Sequence, residues 1–185
     1  MRAAFIGLAL LTLAACSTAV HSHGTLDSKL HCAPHSVTDE GAPFCYALPN
    51  GFTDNSSDRT YCRGWRYCTL VSVAQHDLVQ VLAAREPFDA DTYSDAKLQD
   101  LAEKGLSEVA AAAKSTLTDV TATRVGGVRA YEQAVLTRDG VTDRAVLAFR
   151  GHVEVFIQCD QSDHSAPAQQ GCARVLGSIQ IVPLP

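Results

Sequence analysis

The sequence predicts an α+β domain: an antiparallel β-sheet with a four-stranded C-terminal meander, flanked by helices. Three observations predict it. Gly126-Gly127, Asp139-Gly140 and Gly151-His152 place residues suited to positive φ between alternating segments, as successive hairpins require. Residues 89–114 repeat apolar side chains every three or four positions, as one face of a helix does. A second such stretch begins near Pro167, and Pro183 and Pro185 stop it.

The first element is not part of that domain. Met1-Arg2 gives a short basic start, and residues 3–13 form an apolar run too short to cross a bilayer. Small residues then lead to Cys16, the order of a secretory signal peptide. Leu13-Ala14-Ala15-Cys16 resembles the lipobox of bacterial lipoproteins. The resemblance implies cleavage before Cys16, with lipid on its sulfur and amino group. It also implies an anchored, periplasm-facing place in the bacterial cell envelope. Ser17, where an Asp would favour the inner membrane, points to the outer one. The chain thus divides into a signal peptide (1–15), a lipidated cysteine with a flexible His-rich tether (16–42) and one α+β domain (43–185).

Cysteine count agrees with this division. Seven cysteines leave an odd thiol in an exported protein, and assigning Cys16 to lipid removes it. Cys32, Cys45, Cys62, Cys68, Cys159 and Cys172 remain to form disulfides in an oxidising compartment. Six cysteines admit about 15 connectivities, and proximity favours Cys32–Cys45, Cys62–Cys68 and Cys159–Cys172. The formal charge is −5. Loss of residues 1–15 removes Arg2 and no acid, leaving 14 basic against 20 acidic residues, or −6. Such a chain, without a Lys/Arg cluster, argues against nucleic acid and against electrostatic docking on anionic lipid.

Within the domain, 44–48 reads as a strand ended by Pro49-Asn50-Gly51, and 51–66 as a loop. Residues 69–74 and 78–84 are rich in Val and Leu and read as two strands around a Gln75-His76-Asp77 turn. The long helix carries Leu98, Leu101, Ala102, Gly105, Leu106, Val109 and Ala113 on one face. Thr92 with Asp95 resembles a capping box at its start. Gly105 costs about 1 kcal/mol against Ala in a helix interior, which points to close packing there. The meander is expected over 118–125, 128–138, 141–150 and 153–159, with Ala145, Leu147 and Phe149 on one face and Arg144 and Arg150 on the other. In the closing helix Cys172, Val175, Leu176 and Ile179 share a face, which brings Cys172 toward the strand that carries Cys159.

This order of elements, with residues 44–52 (FCYALPNGF), Arg85-Glu86-Pro87-Phe88 and the 175–181 segment, resembles the PsbP-like and DcrB-like α/β/α sandwich family over most of 43–182. The resemblance implies a domain that binds other proteins and has no shared catalytic constellation. The six cysteines and the 54–67 loop depart from the family pattern, so no functional residue is carried over.

Three groups of residues are candidates for chemistry. His21, His23, His31 and His35, with Asp27 or Asp39, have the donor types for zinc or copper, but their spacing matches no compact site and a solvated tether is the simpler reading. His76-Asp77 and Asp163-His164, with Ser72 or Ser165, hold the residue types of a hydrolase; no nucleophile elbow, zincin helix or P-loop accompanies them. The loop YCRGWRYC (61–68) places the only tryptophan among arginines, tyrosines and two cysteines. Arg63, Trp65, Arg66 and Tyr67 are residue types enriched where proteins bind proteins, and a Cys62–Cys68 bridge would stiffen them. The alternative is that Trp65 and one tyrosine fill the core while the arginines cap it.

The expectation is therefore a non-catalytic, lipid-anchored envelope protein that binds a protein partner, in one specific version an immunity protein against a periplasmic toxin. No cofactor and no metal are expected. The alternatives are a cell-envelope hydrolase with an unrecognised site and a metal-binding envelope lipoprotein.

Overall fold

The computed structural model describes residues 29–62, 64–113, 116–136, 142–162 and 165–184. The signal peptide, Cys16, His21 and His23 lie outside these, as do Arg63, Asp163 and His164. The elements run β1 (Ser36–Val37), β2 (Phe44–Ala47), β3 (Thr53–Asp54), β4 (Tyr67–Ala74), β5 (Asp77–Arg85), α1 (Asp95–Ala113), β6 (Thr116–Leu117), β7 (Thr121–Val125), β8 (Val128–Leu136), β9 (Thr142–Arg150), β10 (Val153–Gln161), α2 (Ala166–Ser178) and β11 (Gln180–Ile181).

Among the described residues the strands form two antiparallel sheets. The larger has eight strands in the order β3-β4-β5-β10-β9-β8-β6, with β7 also on β8; the smaller is β1-β2-β11. The predicted meander is present as β7 to β10. Its last strand pairs with β5 from Val153↔Arg85 to Asp160↔Leu78, so the N-terminal hairpin and the meander share one sheet. Side-chain alternation gives each strand its face but not its neighbour, which is why that pairing was not legible.

Alternation splits the core into two layers. Leu82, Tyr131, Ala145, Leu147, Phe149 and Phe156 face α1, against Leu98, Ala102 and Leu106. Val71, Val79, Val81, Val146, Val155 and Ile157 face the other way, against Cys172 and Val175 of α2 and Phe44, Tyr46 and Ile181 of the small sheet. The result is an α/β/α sandwich. Arg150 is a buried charge on the α2 side, and its guanidinium donates to the Ile181 carbonyl at 2.5 Å, holding β11 in place. Gly105 sits where α1 crosses β9: a Cβ there would lie 3.1 Å from Leu147 Cδ1.

The structure corrects three expectations. The helix begins at Asp95, and Ser94, not Thr92, accepts the first hydrogen bonds, from Leu98 N to its carbonyl and from Lys97 N to its Oγ at 3.3 Å. Thr92 closes a 3-10 turn, Ala90–Thr92, whose first residue is fully buried. Ala90 N donates to Gly151 O at 2.7 Å, and its carbonyl takes a bond from Arg129. That double hold keeps this stretch of chain on the sheet until residue 94. The 51–66 loop contains β3 and a 3-10 turn, Arg59–Cys62. The start of the fold also moves from residue 43 to residue 31. Val37 and Ala42 are buried, β1 pairs with β2, and His31 exchanges two hydrogen bonds with the Gln180 side chain.

The disulfides are Cys32–Cys45, Cys62–Cys68 and Cys159–Cys172, with Cα separations of 6.0, 5.6 and 5.7 Å. They are the three pairs that proximity favours. Cys159–Cys172 ties β10 to α2, as the helix face predicts. Replacing both cysteines by serine should lower stability by about 3 kcal/mol, the entropy of a closed loop of this length, read as a lower urea midpoint.

Candidate functional site

The loop that carries Trp65 is built from five constraints that converge on it. Asp58 Oδ1 accepts from Thr60 N at 3.0 Å and opens the 3-10 turn. Trp65 N donates to Cys62 O at 3.1 Å, and Gly64 makes the reversal with φ of 84°, a conformation that a side chain would strain. The Cys62–Cys68 bridge closes the loop, and Gln80 of β5 donates to Tyr61 O at 2.6 Å.

The fifth constraint comes from the segment read as tether. Asp39 accepts from Cys68 N at 3.0 Å and from Arg59 Nη1 at 2.9 Å. Arg59 in turn reaches the carbonyls of Cys68 and Arg66. Burial alone would raise the Asp39 pKa; the bonds from Cys68 and Arg59, with the Arg59 charge, outweigh it and hold the carboxylate below its usual range. No sequence signal joins Asp39 to this loop, since about 20 to 30 residues separate them and nothing periodic connects them.

Trp65 is half-buried and packs against the α1-side core. Tyr67 is a buried member of the opposite core layer, and the Arg66 guanidinium lies 5.2 Å from its ring centroid. Arg66 and Tyr61 are exposed. The structure places the predicted residues at different depths: Tyr67 is buried in the core, Trp65 half-buried and Arg66 exposed, and all three, with Gly64, line a surface groove of about 370 Å³. Ala83, Ala84, Arg85 and Leu184 complete it. Arg85 and Leu184 were missed by the sequence reading. Pairing of Tyr67 with Ala83 brings Arg85 alongside, and only the strand register reveals that.

The hydrolase candidates come together differently from a triad. Asp77 accepts from Ser162 N and Oγ and from Ser165 Oγ, all at 2.7 Å. Ser72 is elsewhere, bonded to Asn55. Burial would raise the Asp77 pKa, but the Ser162 and Ser165 bonds and neighbouring His76 lower it overall. Ser165 is also the N-cap of α2, accepting from Ala168 N. Asp77 therefore clamps the start of β5 to the α2 lead-in.

His31 and His35 are exposed, and His35 adopts a positive φ of 63°. Among the described residues no group of three or more His, Cys, Asp or Glu side chains is placed to hold a metal ion. No helix among them is long and apolar enough to cross a membrane.

No family model matches the chain, and no curated protein matches it in sequence. The architecture is that of a PsbP-like α/β/α sandwich. It is similar to the solution structure of cyanobacterial PsbP, CyanoP, from Synechocystis, with a TM-score of 0.56 and 16% identity over 85% of this chain and 99% of that one. At that identity the likeness is one of fold alone.

Proposed function

We propose that the chain is a non-catalytic, lipid-anchored protein of the bacterial cell envelope, facing the periplasm from the outer membrane, that recognises another protein through the Trp65 loop. Its specific version is an immunity lipoprotein that blocks an incoming toxin. One observation carries the reading: a half-buried tryptophan is held beside an exposed arginine on a loop fixed by a disulfide, by Gln80 and by Asp39. A loop already fixed loses little freedom on binding, so its contacts translate into affinity. The anchor would leave the partner within reach. Sixteen residues separate Cys16 from Cys32, where the fold is first bridged, a span of at most about 55 Å when fully extended.

Affinity capture from envelope extract with the mature domain tests the recognition. A specific protein should be retained by the wild type and lost with Trp65→Ala, while metabolic labelling with a palmitate analogue should mark the wild type and not Cys16→Ser. Turnover of cell-wall or lipid substrates with no partner retained would overturn the reading in favour of a hydrolase.

A further inference from the structure

Among the described residues Tyr61 and Val73 are the exposed large hydrophobic side chains, and Tyr61 is the more open of the two, at 59%. Its backbone is nevertheless fixed. Tyr61 lies in the Arg59–Cys62 3-10 turn, next to the Cys62–Cys68 bridge, and its carbonyl accepts from Gln80 Nε2 at 2.6 Å. The ring itself has no aromatic or cationic neighbour stacked on it among the described residues. A flat apolar surface is thus held out to solvent by a rigid support.

Tyr61 lines a groove of about 270 Å³, whose apolar lining includes Leu70 and Leu78 of the β4–β5 hairpin. Three planar polar side chains, Asn55, Asp58 and Gln75, belong to the same lining. Asn55 is held by its N–H on Leu70 O and by its Nδ2 on Ser72 Oγ, both at 2.8 Å, which leaves its side-chain oxygen as an open acceptor. Asp58 uses Oδ1 for the Thr60 hydroxyl and for Thr60 N at 3.0 Å, and its other oxygen remains open. Those bonds, the hydroxyl's first, lower its pKa, so it is a carboxylate at neutral pH. The Gln75 amide has no partner among the described residues. The lining has no Lys, Arg or His. An anion would meet the Asp58 carboxylate there, and among the described residues no three His, Cys, Asp or Glu side chains are placed to hold a metal ion. An uncharged ligand rich in hydroxyls fits what remains.

We propose that this groove binds one sugar ring of a glycan chain, a pyranose with equatorial hydroxyls, its C–H face stacked on Tyr61 and its edge hydroxyls bonded to Asn55, Asp58 and Gln75. Equatorial substitution leaves axial hydrogens alone on the two faces of the ring, so the faces are apolar and the rim is polar. An exposed aromatic ring flanked by planar amides and a carboxylate complements both parts at once. The carboxylate contributes the strongest of these hydrogen bonds, because its acceptor is charged. About 270 Å³ lies just below the usual range of small-molecule sites, which suits a single ring with the rest of the chain in solvent. The site shares no lining residue with the Trp65 groove and stands apart from the protein-binding reading above.

The probes are cellotetraose and chitotetraose, β-linked chains of glucose and of N-acetylglucosamine, titrated into the mature domain and followed by amide NMR. Sorbitol, which has the hydroxyls without a ring face, is the control. Either oligosaccharide should shift the signals of residues 55–61 and 74–78 saturably, and sorbitol should not. Tyr61→Ala, checked for native circular dichroism, should weaken binding by about tenfold, the cost of removing an aromatic anchor. Tyr61→Phe keeps the ring and should bind like the wild type, whereas Gln75→Ala, which removes one hydrogen-bonding group, should weaken binding by about threefold. No saturable shift with either oligosaccharide, equal shifts with sorbitol, or wild-type binding by Tyr61→Ala would overturn the inference. Shifts centred on Trp65 and Arg66 would also overturn it, by placing the sugar in the other groove.

Discussion

Replacing Glu154 by glutamine should stabilise the fold by about 2–3 kcal/mol near pH 8 and leave it nearly unchanged near pH 4. Glu154 is on β10, between Ala84 of β5 and Phe149 of β9, on the face that meets α1. Its pKa rises from 4.5 to about 7, chiefly because burial disfavours the charged carboxylate and also because Glu86 repels it. The sign follows from proton counts. Between pH 4.5 and about 7 the folded chain holds a proton on Glu154 that the unfolded chain has released. The stability of the protonated form is therefore full below the unfolded value and is lost as pH rises through the folded one. Glutamine keeps the shape of the neutral acid and carries no proton to lose. Urea unfolding of both proteins from about pH 4 to about pH 8 checks this. Parallel stability curves across that range would rule out a buried, proton-holding Glu154. Asp39 and Asp77, whose pKa values are lowered, contribute the opposite slope and lose stability as pH falls through their folded values.

Gly126→Ala should cost about 3 kcal/mol or more. Gly126 opens the turn between β7 and β8 with φ of 58°, where an L side chain is already disfavoured by about 1–2 kcal/mol. A Cβ there would also lie 2.6 Å from the carbonyl oxygen of Ile179, a backbone atom between α2 and β11 that cannot rotate aside. The two causes separate experimentally. Gly51 has a similar φ of 79°, with nothing within 4 Å of the methyl that alanine would add, so Gly51→Ala should show only the conformational cost of about 1 kcal/mol. Equal losses of urea midpoint for the two variants would mean that the Ile179 contact contributes nothing.

These two residues also mark where the sequence was informative. Gly126-Gly127 announced a turn because positive φ is a local property, and the meander followed from such turns. The contact between that turn and Ile179 depends on how the last helix folds back, and no local pattern encodes it. Alternation in β10 puts Glu154 on the same face as Phe156 but does not encode its partial burial, which depends on Ala84 and Phe149 of the two neighbouring strands. The Trp65 loop lies between these cases. Composition singled it out, and sequence distance favoured its disulfide. Its groove needed the β4–β5 register, and its brace needed Asp39 from a segment with no periodicity to read. Thr92 shows the converse, a local capping pattern overridden because buried Ala90 and its bond to Gly151 hold the chain on the sheet.

The Cys32–Cys45 bridge has a mechanical consequence. Cys45 is in β2, the middle strand of the small sheet, and residues 33–44 form a covalently closed loop beside the bridge. A pull that reaches the bridge from ahead of Cys32 passes through the sulfurs into β2, and residues 33–44, held by their own contacts with the sheet, lie outside that line of force. Asp39 is in that closed loop, holding Cys68 and Arg59. A load that enters the fold through this bridge would thus bypass the Asp39 contacts that brace the Trp65 loop.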